Sequence, residues 1–419
     1  MLSTQAGRTV GALWRSDALR TAAVYAVAGA AFAAANLLLA RVMSYREYAL
    51  FALVVAFLNL GIPFAPAGAD GIVNRRPIPA GWPLLRRALL TSAAVTAVAA
   101  LIGFMAYHLA PAYLGLMAVA VLAGGTNHVA AAYFQSVRRF GVSLTLFQAM
   151  NFAILGVAVF AAATGTGHAL PAIALIAVGY VILATAGWRL LLRDHARPVD
   201  ADTRPFPWAE ALSFVGVSGA TVLLGQLERF LVPKLLGLEA LATFGVLAAT
   251  VGSVFRVLLL SVGYSMFPRL RAAANPAARR RLIGREAAAV GGFVAVACVV
   301  IWVLTPVVVR VVLAGKYTIP AALMAASITT GLVKVASAFA RAVVSALGDA
   351  RQLGRLNALG WLSVGIAVVG AAVGARWGLT GVVYGMGLGW LAQALSALHL
   401  AMPHLREDSP DVEPAAVPW

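Results

Sequence analysis

Residues 213–270 read SFVGVSGATVLLGQLERFLVPKLLGLEALATFGVLAATVGSVFRVLLLSVGYSMFPRL, two apolar spans joined by a short turn. Both carry ionisable residues at depth: Glu228 and Arg229 in the outer third of the first span, and Arg256 about halfway along the second. A charge near the centre of a bilayer costs roughly 2.5 to 3.5 kcal/mol on insertion scales, so such residues face a bundle interior or a wet cavity. Reading this pair as membrane helices sets the fold class for the rest of the chain.

Composition agrees with that reading. With 62% hydrophobic and 11% charged residues over 419 positions, and a mean hydropathy of +0.89, the sequence describes an integral membrane protein. The formal charge of +17 does not point to nucleic acid, because the basic residues punctuate apolar runs instead of forming one continuous exposed face. The single cysteine, Cys298, lies within an apolar run. That excludes an intrachain disulfide and a cysteine-clustered metal site, and no other metal or cofactor is expected.

Outward from the opening pair, stretches near the length of a spanning helix recur with short connections. Six lie in the first half, near 19–40, 47–68, 84–108, 112–134, 142–163 and 169–192. The polar start with Arg8, Arg15 and Arg20 resembles a signal peptide, but its apolar stretch is too long and more spans follow at once, so an uncleaved helix is expected. Pro63 and Pro66 should kink or break the end of the second span. Residues 193–208, RDHARPVDADTRPFPW, read as a linker. Six more spans follow near 209–235, 241–267, 287–313, 319–346, 356–375 and 379–400. The expected architecture is all-α, with about twelve transmembrane helices in an N-lobe (1–192), a cytoplasmic linker (193–208), a C-lobe (209–401) and a polar, disordered tail (402–419). Six helices per half leave both halves the same way up, the parity of parallel repeats.

Orientation follows from the arginines. On one side of the predicted bundle the termini and loops carry 22 basic residues; the other side carries six, Arg41, Arg46, Lys234, Arg310, Lys316 and Arg376. By the positive-inside rule both termini are expected in the cytoplasm. The remaining four basic residues, Arg229, Arg256, Lys334 and Arg341, fall within spans.

Those four carry the functional reading. Arg229 and Arg341 lie near enough to their span ends, roughly 10 Å from centre, to snorkel to headgroups, whereas Arg256 and Lys334 are near mid-depth. Lys334 and Arg341 are seven apart, on one helix face with Ser327, Gly331, Ala338 and Ser345. Arg256 shares a face with Gly245, Ala249, Gly252 and Gly263, a surface suited to protein or water. Helix packing also explains small-residue faces, and for Gly381, Gly385 and Gly389 in the last span it is the better account. Glu228 is the one acidic residue deep in the second half, and it points away from its neighbour Arg229, so pairing with Arg256 or Lys334 is expected. About three positive charges stay unmatched, which favours an anion in a wet cavity. The first half offers polar candidates for a cavity wall, Asn36, Asn59, Asn127, Gln148 and Asn151, for which interhelical hydrogen bonding is the commoner role. His128 is expected to be structural.

Several stretches resemble the oligosaccharide-lipid and polysaccharide flippase branch of the multidrug/oligosaccharidyl-lipid/polysaccharide exporter superfamily. They are Gly68-Ala-Asp70-Gly71-Ile-Val-Asn74-Arg75-Arg76, the turn LGLEALATFG, Met266-Phe-Pro268-Arg269, Leu313-Ala-Gly315-Lys-Tyr317, and Ser345-Ala-Leu-Gly348-Asp349 onward to Gly354. The resemblance covers essentially the whole chain, though its motifs are diffuse. It implies a two-lobed clamp around a central cationic cavity that opens alternately to each side. The cargo it implies is a polyprenyl-pyrophosphate-linked oligosaccharide, flipped across a bacterial cytoplasmic (inner) membrane. Arg256 and Lys334 would hold the pyrophosphate, Arg229 and Arg341 would form outer and inner steps, and Glu228 would exchange between a basic partner and a proton or cation. Its partners would be the lipid-linked oligosaccharide, membrane lipids and other polysaccharide-assembly proteins, with no nucleic acid.

Rival classes remain. A drug or metabolite exporter of the same superfamily also has twelve helices, but would more naturally bury acidic residues. A membrane glycan polymerase or ligase would place catalytic groups in a sizeable external loop, and every such loop is short. No enzyme activity is expected. No stretch resembles a P-loop, which leaves the membrane potential, worth about 2.3 kcal/mol per charge per 100 mV, as a source of work. The segment 276–289, with three consecutive arginines, suits the inner membrane surface, although a plain topology signal explains it equally.

Overall fold

The computed structural model describes residues 17–76, 78–194, 206–256, 258–259, 270 and 276–405. Every regular element among them is helical. In the first half these are α1 (Asp17–Val42), α2 (Tyr45–Phe64), the short α3 (Ala69–Arg75), α4 (Trp82–Tyr107), α5 (Pro111–Ser136), α6 (Phe140–Thr164) and α7 (Ala169–Leu192). In the second half α8 (Trp208–Leu236) and α9 (Leu238–Leu247) form the opening pair, and α9 runs on through a π-helical turn, Ala248–Gly252, to Arg256. They are followed by α10 (Pro276–Val311), α11 (Ala321–Leu347), α12 (Ala350–Gly374) and α13 (Gly378–Leu405).

By length and composition ten helices could cross a membrane, or eleven with the bent α8 taken as one span. One of those, Arg351–His404, is itself a hairpin made of α12 and α13, so by length and composition the described helices leave room for the twelve crossings expected. Its two arms come into backbone contact at two glycine pairs. A Cβ on Gly374 would sit 2.1 Å from the Gly381 carbonyl oxygen, and one on Gly385 equally close to that of Gly370. Gly381 and Gly385 of the last span serve this backbone contact, and Gly389 lies against both Ala367 Cβ and the Ser363 carbonyl oxygen.

Local chemistry sets the helix ends. Ser44 caps α2 by accepting from the Glu47 amide at 3.2 Å, and the Glu47 carboxylate in turn accepts from the Ala169 amide at 2.6 Å, where α7 begins. Pro63 stands one residue from the end of α2, and the chain turns there before α3 starts. At α12, Asp349 and Gln352 form a reciprocal capping box. Between Gly216 and Gly219, α8 bends by 44°.

The chain folds as two lobes. In the N-lobe α1 packs on α6 and α5 on α7; in the C-lobe α12 and α11 both pack on α13. The seam between them is made mainly by α2 against α8 and α9. Most of the linker (195–205), nearly all of the polar tail (406–419), Arg8, Arg15, Gly263 and the stretch Met266 to Arg269 lie outside the described residues.

Candidate functional site

The four intramembrane cations all sit in the C-lobe, on α8, α9 and α11, and the structure divides them. Lys334 of α11 donates to both oxygens of Glu228 on α8, at 2.9 and 3.2 Å. Both side chains are largely buried, 19% and 8% exposed, and the ammonium also lies 5.4 Å from the Trp390 ring on α13. Glu228 therefore takes the partner expected across the helix interface.

Seven residues earlier on α8, Thr221 accepts from the Arg341 guanidinium, seven residues later on α11. The helices are thus tied by two rungs in antiparallel register, about 10 Å apart at 1.5 Å per residue. The lower rung extends sideways: Gln393 of α13 donates to Thr221 at 3.3 Å, and its carbonyl oxygen accepts from Ser337 at 3.1 Å. Arg341 turns inward to this network and does not snorkel.

Arg229 and Arg256 are arranged differently. Arg229 donates to Gln226 one turn back at 3.3 Å, and lies within electrostatic range of Arg256, Tyr48 and Glu228. Arg256 reaches across the seam, with its guanidinium 5.7 Å from the Phe32 ring of α1 and in range of Tyr180 on α7. Its side chain is exposed at the surface of the described chain beside the seam. Neither arginine has a carboxylate at ion-pair distance among the described residues. Two like charges in electrostatic range of each other raise the local positive potential, which Glu228 offsets in part at Arg229.

The π-helical turn helps aim Arg256. It inserts an extra residue per turn directly ahead of the arginine, a feature often found at functional sites. On the same helix face, Gly245 lets Tyr48 approach: a Cβ there would meet the tyrosine ring at 3.0 Å. Phe32, Tyr48, Tyr180, Gln226 and Trp390 were not expected in this site. Aromatic residues in apolar helices give no pattern that separates a seam from a core, so the sequence held no signal for them.

The first-half polar candidates meet neighbours of their own. Asn127 donates to the Leu146 carbonyl of α6 at 2.8 Å, and Asn36 to Phe32 of its own helix at 2.8 Å; both are buried. Asn151 donates to buried Gln148 at 2.8 Å. The Nδ2 of Asn59 is buried without a hydrogen-bond partner among the described residues. His128 lies 3.6 Å from Asp70 and edge-on to Phe147.

No protein-family model matches the chain, and no curated protein resembles it in sequence. Solved structures do match in shape. One is an inward-facing multidrug resistance MATE family transporter of the MOP superfamily, at a TM-score of 0.60, 13% identity, and coverage of 92% of this chain and 94% of that one. The fold is that of the MATE transporters. A mutant of the Vibrio cholerae MATE transporter VcmN matches at a TM-score of 0.55 and 15% identity over 97% and 98% of the two chains. A MATE in a bent conformation matches at 0.55 and 13% over 94% and 96%. A fold of this kind has two lobes, as the seam of α2 against α8 and α9 also shows.

Proposed function

We propose that the chain is an alternating-access exporter whose cargo carries an anionic phosphate group, a polyprenyl-pyrophosphate-linked oligosaccharide of polysaccharide assembly. The observation that carries this reading is the Arg229–Arg256 pair, within electrostatic range of each other beside the seam and without a carboxylate at ion-pair distance among the described residues. Arginine suits a pyrophosphate through bidentate donation. Lys334, first expected beside Arg256, is held by Glu228 and becomes available to the cargo only when that carboxylate takes a proton or a cation. Arg341, tied to Thr221, would be an inner step that the cargo meets after leaving the Arg229–Arg256 pair, and not part of the binding site itself. The protein would work in a bacterial cytoplasmic membrane with both termini inside, beside membrane lipids and other polysaccharide-assembly proteins.

A second reading, export of a drug or metabolite, has its own support, because a multidrug transporter is among the structures that share the fold. The two readings differ in the charge of the cargo. Purified protein would be titrated with a polyprenyl pyrophosphate and, separately, with a lipophilic cationic dye, and binding read by intrinsic tryptophan fluorescence. The flippase reading expects the pyrophosphate to bind, and Arg229→Gln or Arg256→Gln to weaken it at least tenfold. Binding of the dye alone would transfer the assignment to drug export.

A further inference from the structure

We infer that Lys316 is a latch that closes the arginine-poor end of the seam by capping, across the lobe boundary, the C-terminal end of α1. Lys316 belongs to the C-lobe loop between α10 and α11. Its ammonium donates to the carbonyls of Ala40 at 3.0 Å, Arg41 at 3.4 Å and, closer still, Met43. These are carbonyls at a helix end, which lack intrahelical donors and carry the negative pole of the helix dipole. A compact ammonium with three donors can satisfy three such oxygens, which a planar guanidinium cannot do in the same way.

The loop is shaped to present that side chain. Ala314 and Gly315 are both in the left-handed region, at φ 51° and 70°, between Leu313 and Tyr317, which are buried. Those two anchors fix the base while Lys316 projects. Around it Tyr45 of α2 donates to the Lys316 carbonyl, and Tyr317 donates to Ala40 at 3.4 Å. The two tyrosine rings lie 4.7 Å apart, with the ammonium 5.6 and 5.7 Å from them. Burial pulls the Lys316 ammonium below the usual lysine range, so the three carbonyls and two rings offset a desolvation cost. Nothing of this kind is needed merely to end α10.

Position gives the contact its consequence. The opposite, arginine-rich end of the seam is also held, by Arg76 of the N-lobe paired with Glu210 of the C-lobe and by Arg75 over Phe214 at 4.4 Å. In a clamp that opens to alternate sides the two ends must part in turn, and Lys316 governs the end that lies outside on the expected topology. This rests on the alternating-access reading but not on the identity of the cargo.

The test uses full-length protein carrying Cys298→Ser and Ala249→Cys, in liposomes. Ala249 is 7% exposed and follows Gly245, which touches Tyr48, one turn along the seam. A membrane-impermeant maleimide is added on the side to which residue 316 faces. Lys316→Met is expected to speed labelling about tenfold, and Lys316→Arg to speed it also. A parallel series with Val215→Cys, at the arginine-rich end, should show no acceleration. An unchanged rate at position 249, or an equal rise at both positions from general loosening, would overturn the latch. Labelling needs no substrate, so its failure leaves the cargo assignment standing, and the converse also holds.

Discussion

Glu228 and Lys334 form an ion pair, with the ammonium 2.9 Å from one carboxylate oxygen and 3.2 Å from the other, inside the C-lobe. Its burial means that removing one partner strands the other. Breaking a buried pair costs about 3 to 5 kcal/mol, whereas replacing both groups together by uncharged ones is often close to neutral. Glu228→Gln and Lys334→Met are each expected to lower thermal stability in detergent strongly, and the double variant to recover most of the loss. Additive losses in that double-mutant cycle would show that the two side chains are not coupled.

How much of this was legible in the sequence depends on the scale. Apolar length locates the spans, and α12 and α13 coincide with the last two of them. Pairing of Glu228 with a base across the interface followed from the 100° step between adjacent helix positions. Which base it would choose did not, because Lys334 and Arg256 are equivalent candidates until the register of α8 on α11 is known. Thr221 opposite Arg341 is invisible for the same reason: a face can be read from one helix, a neighbour only from two. The Lys316 contact lies further out of reach, since it joins loop residues to backbone carbonyls 273 to 276 positions away, and backbone groups leave no mark in a sequence.

Glycines in the last hairpin divide into those that need to be glycine and those that do not. Gly385 faces the Gly370 carbonyl at 2.1 Å from where a Cβ would stand, while Gly365 faces nothing within 4 Å. Backbone cannot give way as a side-chain tip can, so overpacking here reaches or exceeds the usual 1 to 3 kcal/mol. Gly385→Ala is expected to lower the melting temperature in detergent, and Gly365→Ala to leave it within error. Equal melting temperatures for the two variants would mean that the helices separate freely.

At the arginine-rich end, the lobes are joined by Arg76 and Glu210, both partly exposed, at 40% and 30%. An exposed ion pair contributes only about 0 to 1 kcal/mol, so its loss should change how the seam moves without unfolding either lobe. Arg76→Glu or Glu210→Arg alone places like charges opposite each other, and is expected to speed labelling of a cysteine at position 215 from the arginine-rich side. The double exchange should return labelling to the parent rate. If the exchange fails to restore it while the singles do accelerate it, the pair is not what holds this end.

Thr221 decides whether Arg341 belongs with the anion site or with the frame of the C-lobe. Its hydroxyl oxygen accepts from both Arg341 and Gln393, so Thr221→Val, nearly the same in shape, removes the acceptor from two buried donors at once. A donor left unsatisfied costs about 1 to 3 kcal/mol, more for a charged group. Arg341 already has one buried nitrogen, Nε, without a hydrogen-bond partner among the described residues. The variant is therefore expected to melt several degrees lower in differential scanning fluorimetry. Pyrophosphate binding should be retained, because Arg229 and Arg256 do not touch the Thr221 rung. A variant that keeps its melting temperature and loses the ligand would instead move Arg341 and Thr221 into the binding site.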